Sequence, residues 1–431
     1  MIYRRHTSFS VAIITLAATL VIAASGVRAE TPGTQNGNAT PQESSPPGQQ
    51  PGSSEFGDKA TGDWWGERQR LKQAGVTVEA SLVLEGFKNF RGGLRTSTLV
   101  GASTFDLSLG LDTEKLFNWK GGKFYVDLED HAGRNPSQVL VGDLQVFDKL
   151  NSAAYLQVFE LWYQQQLFDG KLRLKIGKVD ANTEFSVIDN GLPFINSSTQ
   201  VSPTVFVFPT TPAPMPSVNV FFTPCEFYYA SFGAYYANRS DRFGNLVGSP
   251  QVAQFSDFGS FLIGETGLRW QHAPILASGG NLKLGFWGHT GTFTRFDDSE
   301  QRGTYGYYAI LDQTLWQPAG APPGGRGVRA FLVYGRTQRS INPIDQHLGG
   351  GVTWTGLLAA RPDDILGFGP QYAHLSPQAG LPFSYELAME AFYRLQVKGW
   401  AAFTPDLQYI IHPGGQYPNA LVGTIRMEVN F

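Results

Sequence analysis

From Val76 onward, apolar and polar residues alternate with a period of two. Val78, Ala80, Leu82 and Leu84 interleave with Glu79, Ser81, Val83 and Glu85, and Phe105, Leu107, Leu109 and Leu111 with Asp106, Ser108 and Asp112. The pattern continues at 123–129 and 171–176. It recurs near 155–168, 216–224, 226–239, 260–272, 281–291, 304–317, 327–339, 346–358, 364–375, 385–398, 400–411 and 420–431. Successive side chains of a strand point to opposite faces, so the pattern predicts about sixteen strands with one oily and one wet face. Each is near the ~10 residues that a tilted strand needs to cross a bilayer.

The connections are uneven. Even-to-odd ones are mostly short: "DG" at 169–170, "TPC" at 223–225, "RPD" at 361–363 and "KGW" at 398–400, with "QPAGAPPGGRG" at 317–327 as the exception. The longest, 132–154, 181–215 and 240–259, are odd-to-even. Outer-membrane barrels combine short periplasmic turns with long external loops, which would place both chain ends in the periplasm. In the closing "ALVGTIRMEVNF", Leu421, Gly423, Ile425, Met427, Val429 and Phe431 form the oily side. An open sheet edge is not viable in lipid, so the last strand is expected to pair with the first and Phe431 to close the barrel at its periplasmic rim.

Composition agrees with this reading. Charged residues make up 16% of the chain, against roughly 25% in soluble globular proteins, and aromatics 13%. The mean hydropathy is only -0.17, and beyond the N-terminus no run approaches the ~20 apolar residues of a spanning helix. A soluble sandwich would turn Lys and Glu outward, and no 40-residue repeat marks propeller blades. The fold class expected is all-β: one transmembrane antiparallel barrel of about sixteen strands, with a short N-terminal helix and a long, inward-folded third external loop.

The N-terminus reads as an export signal over 1–29. "MIYRRHTS" is basic, "FSVAIITLAATLVIAASG" is apolar, and "VRA" offers cleavage after Ala29. Its removal takes Arg4, Arg5 and Arg28 and no acid, moving the net charge from -3 to -6. Residues 30–57, rich in Pro, Gly, Ser and Gln, read as a flexible linker. Residues 58–75 carry the short helix, with Thr61 or Asp63 as cap and Gly75 as stop, and the barrel fills 76–431. No basic face points to nucleic acid. The single Cys225 permits no internal disulfide and reads as a packing residue. The seven histidines show no metal-ligand spacing, and no Walker loop, G-x-S-x-G or H-E-x-x-H is present. No catalytic residue, metal or cofactor is assigned, and the chain is not expected to be an enzyme.

Several blocks resemble the OprB-type carbohydrate-selective porins. They are "GDWWGERQRLKQAGVTV" (62–78), "IGKVDANTEF" (176–185), "NSSTQVSPTVFVFP" (196–209), "RPDDILGFGPQYAHLSP" (361–377) and "EAFYRLQVKGWAAFTPDLQYIIHPGG" (390–415), with a terminal Phe. Two positions depart from the family's pattern: Trp65 stands where a glycine is expected, and Pro370 lies inside a strand. The resemblance implies a sixteen-stranded outer-membrane channel for glucose-like sugars. It also implies assembly by the barrel-assembly machinery, with Phe431 in its signal. Expected partners are small carbohydrate solutes and outer-membrane lipid, with monomer and trimer both open.

A barrel of that size leaves an aqueous lumen, so side chains and loops must narrow it. Loop 181–215 is stiffened by Pro193, Pro203, Pro209, Pro212 and Pro214 and weighted by Phe185, Phe194, Phe206 and Phe208. It is expected to fold inward, with Asn182, Glu184, Phe185 and Asn196 at the constriction. Sugar hydroxyls favour charged and amide partners. Parity turns Asp127, Glu129, His131, Lys171, Arg173, Lys175, Glu386, Glu390, Arg394, Asp406 and Gln408 inward as candidate pore lining. A general or other-solute porin is the alternative, and an outer-membrane enzyme or binding protein a more distant one.

Overall fold

A computed structural model of the chain describes residues 56–150, 152–237, 259–271, 279–322 and 324–431. The expected leader 1–29, most of the linker 30–57 and the connection near 240–259 lie outside the described residues. Sixteen strands are present among those described. They are β1 (Val76–Arg91), β2 (Leu99–Asp112), β3 (Gly122–Gly133), β4 (Tyr155–Leu167), β5 (Leu172–Val179), β6 (Met215–Cys225), β7 (Tyr228–Ala237) and β8 (Gly259–Trp270). The rest are β9 (Gly280–Thr294), β10 (Glu300–Trp316), β11 (Gly327–Thr337), β12 (Ile344–Thr355), β13 (Ile365–Leu375), β14 (Tyr385–Lys398), β15 (Ala401–Ile411) and β16 (Ala420–Asn430). Each pairs antiparallel with its sequence neighbours, and β1 pairs with β16 to close the barrel, Ser81 opposite Asn430 and Lys88 opposite Gly423. Phe431 lies just past β16, and its N–H still donates to Ala80 O at 2.8 Å.

The alternation appears as two faces. Leu84, Phe124, Ile176, Phe286, Phe368 and Ile425 are each more than a third exposed on the outer wall. So much contiguous apolar surface is incompatible with water and fits lipid. Inside, the wall is not uniform. β1–β5 and β14–β16 turn mostly polar groups inward, while β6–β11 turn in Phe221, Tyr235, Phe261, Trp287, Tyr308 and Phe331, all buried. That half of the barrel is mostly oily on both faces, with Glu265, Lys283 and Asp312 as buried charges among the rings.

The local departures have local causes. The N-terminal helix α1 covers only Glu67–Gln73, after a tight turn at Trp64–Gly66. Gly66, at φ 95°, occupies the N-cap position and Thr61 does not, while the Asp63 carboxylate still serves the first turn, accepting from Gln69 N–H at 3.0 Å. Trp65 sits at φ 58°, in the left-handed region that favours glycine. That accounts for a glycine being expected there. A second helix, α2 (Thr113–Phe117), was not expected. Asp112, which the alternation reads only as a strand residue, also caps it by accepting from Glu114 and Lys115 N–H at 2.9 and 3.2 Å. Pro370 has no N–H for the ladder, and Gly350 O on β12 accepts the Gln371 side-chain amide at 3.0 Å.

Candidate functional site

The connection from β5 to β6, residues 180–214, folds into the barrel. Three 3-10 turns, Ala181–Thr183, Asp189–Gly191 and Ser197–Thr199, give it its path. Its phenylalanines go to the oily wall. Phe185 meets Phe221 at 5.7 Å and Tyr235 at 6.5 Å, and Phe194 meets Phe331 at 5.5 Å and Phe392 at 4.9 Å. Phe206 lies 5.9 Å from Trp287, and Phe208 5.7 Å from Phe261. Phe194 fits because the wall beneath it is glycine: a Cβ at Gly351 would stand 2.7 Å from its ring, and one at Gly369 3.0 Å. Phe185 and Phe194 are wholly buried, and burying each such ring stabilises by about 1.5–3 kcal/mol.

A second loop, 134–154, also enters, which was not expected from its composition. Leu140, Val141 and Phe147 are buried with Phe87, Ile410 and Val422. Backbone bonds join the two loops: Lys149 N–H donates to Ile195 O at 2.9 Å, and Ser197 N–H to Val146 O at 3.0 Å. The arc from β14 through β16 and β1 to β5 carries most of the inward charges, with Glu265, Lys283 and Asp312 of β8–β10 facing the loop from the other side.

At one end of that arc, Arg173 donates to Glu184 at 2.7 Å and 3.0 Å and to Gln164 at 3.0 Å, with its guanidinium 3.6 Å from the centre of the Phe221 ring. Lys175 pairs with the same Glu184 and stands 3.9 Å over Trp162. Burial works against the charge of Glu184, but Lys175 and Arg173 outweigh it and hold the carboxyl down to about 2. In the middle of the arc, Asp127 and Glu129 are buried; Tyr155 donates to Glu129, and His131 contacts Thr104 at 2.9 Å and stacks on Tyr155. At the far end, Arg426 donates to Glu85 at 2.6 Å and Asp148 at 2.9 Å, and Arg394 to Glu428 at 3.0 Å. Lys149 Nζ donates to Leu192 O at 2.8 Å. Burial and the neighbouring Arg426 pull its ammonium down to about 8.

The expected site residues divide accordingly. Arg173 and Arg394 keep 27% and 22% of their side chains exposed, although both are already bonded, Arg173 to Glu184 and Gln164 and Arg394 to Glu428 and Gln396. Lys171 is a correction: it lies in the turn before β5, exposed, and not on the strand. Glu386, Glu390, Asp406 and Gln408 face inward but lie under the loops. Glu386 accepts from Leu144, Gln145 and Gly414 N–H at 2.9, 2.8 and 2.6 Å. Glu390 accepts from Ile195 and Asn196 N–H at 2.5 and 3.0 Å. Gln408 donates to Phe147 O and to Asp406, and accepts from the Asn196 side chain. These groups hold loops and do not face open water. Asn182 is buried too, its amide donating to Phe185 O at 3.2 Å. The alternation missed Lys149, which sits on a loop, and Arg426, visible on the wet side of β16 but unassigned. Among the described residues no group of three His, Cys, Asp or Glu is placed to hold a metal ion.

A family model described as carbohydrate-selective porin, OprB family, matches residues 97–431. Porin B of Pseudomonas aeruginosa is 25% identical over 423 residues, covering 86% of this chain and 90% of that protein. The putative porin QuiX of Acinetobacter baylyi is 24% identical over 134 residues, 29% of this chain and 30% of its own. In fold, the high-pH structure of Pseudomonas putida OprB superposes with a TM-score of 0.76 at 21% identity, covering 88% of this chain and 99% of that one.

Proposed function

The chain belongs to the OprB family of carbohydrate-selective porins, and from that premise we propose that it passes small, glucose-like sugars through a lumen narrowed by loop 180–214. The observation that supports this is the docking of that loop on the oily wall of β6–β11, and we take the charged arc opposite it as the route. A sugar shows hydroxyls around its ring and apolar C–H faces. Arg173, shared with Glu184 and set over the Phe221 ring, puts a part-exposed cation beside the aromatic wall. Arg394 across the arc offers a second cation, and Glu428 beside it an acceptor. A charged hydrogen bond contributes about 1.5–3 kcal/mol gross, much of it offset by stripping water from the sugar. Binding is therefore weak, near the roughly -4 kcal/mol of a millimolar site, as flux requires.

Both signs of charge occur along the arc, and neither a cation nor an anion filter would be built so. The test is purified protein in liposomes and planar bilayers. Monosaccharides should swell the liposomes faster than trisaccharides and block the ion current, and Arg173→Ala with Arg394→Ala should weaken that block. Swelling that follows solute size alone, with no sugar block, would establish a general porin instead.

A further inference from the structure

The prolines of the inward loop are unevenly placed. Residues 180–196 contain only Pro193, whereas the return, 197–214, contains Pro203, Pro209, Pro212 and Pro214. Proline lacks the N–H that a clamp could hold, and the clamps are indeed in the first part. Glu160 of β4 accepts from Asp180 N–H at 2.8 Å. Glu265 of β8 accepts from Ser186 N–H at 2.9 Å and from the Tyr229 and Tyr308 hydroxyls at 2.7 Å. Asp312 of β10 accepts from Asp189 and Asn190 N–H at 3.3 and 2.8 Å. Glu390 of β14 accepts from Ile195 and Asn196 N–H. All four carboxylates are buried, and three of them meet the loop at or just before the start of a 3-10 turn.

We propose that Glu160, Glu265, Asp312 and Glu390 are positioning residues for solute selection, holding the backbone of 180–196 to four sites around the wall so that the barrel itself sets the pore's cross-section. This rests on the reading that the loop narrows the water path. Packing of a phenylalanine ring is non-directional, whereas a backbone N–H aimed at a buried carboxylate fixes both distance and angle. The aromatic contacts therefore hold the loop inside, and the clamps fix where its free edge lies. Such a loop is a fixed ring and not a moving lid.

Hydrogen exchange on the full-length protein in detergent tests this directly. The amides of Ser186, Asn190, Ile195 and Asn196 should exchange slowly. Glu390→Gln and Asp312→Asn, which keep shape but lose charge and half the acceptor, should each speed exchange in their own segment about tenfold or more. Glu390→Asp, which keeps a carboxylate, should restore most of the protection. In bilayers the paired Gln and Asn substitutions should raise open-channel noise and admit larger polyethylene glycols. Wild-type amides exchanging like an unstructured loop, or assembled variants with unchanged exchange, noise and size cut-off, would overturn the proposal. Should the variants not assemble, wild-type exchange alone decides. Slow exchange and intact sizing without sugar block would leave the clamps standing and refute the sugar reading.

Discussion

Lys149 shows what loop burial does to a single charge. With its ammonium near 8, below the ordinary 10.5, it is mostly charged at pH 6 and mostly neutral at pH 10. A positive charge on the second inward loop is lost as pH rises through that window, so under the proposed route the pore should drift toward cations between about pH 7 and 9. Reversal-potential measurements in a salt gradient check this, and Lys149→Met should remove the step. At this scale the alternation says which way a side chain points, and Asp127, Glu129, Arg173 and Arg394 point inward as read. It cannot say what meets them there. Glu390 and Glu386 face inward only to be covered by backbone donors from residues about 195 and 241 positions away, partners that no local pattern encodes.

At the scale of elements, every expected strand is present, because a wall between lipid and water leaves a strong period of two. What went unread was also written, though differently. "VNVFF" at 218–222, "FLI" at 261–263 and "YGYYAI" at 305–310 are apolar at both parities. Strands buried on two faces read this way, and here the second face is covered by the loop. The inward second loop left no such mark, since Leu140, Val141 and Phe147 are few and scattered. The loop's hold on the wall predicts how it fails. Phe194→Ala removes the edge contacts with Phe331 and Phe392 and should cost about 3–5 kcal/mol. That loss falls on the loop, not on the strand ladder. Unit conductance should rise and sugar block weaken, while heat-modified mobility on gels stays that of the wild-type barrel.

The whole molecule depends on one seam, where β1 meets β16. Ten backbone register pairs span it, and one side chain adds to them: Arg426 of β16 joins Glu85 of β1 to Asp148 of the second loop, all three buried. Removing one partner of a buried ion pair typically costs 3–5 kcal/mol, because the other charge stays behind. Arg426→Met strands two carboxylates, so its unfolding midpoint in detergent should fall further than that of Phe194→Ala. Seam and loop together also imply an order of events. The loop leaves the chain after β5, yet its last clamp, Glu390, and one of its ring partners, Phe392, belong to β14. Contacts so distant in sequence form late, since the loop-closure entropy must be met first. A partly built barrel therefore has a wall before its inward loop is seated, and the fit of that loop is among the last things to be made.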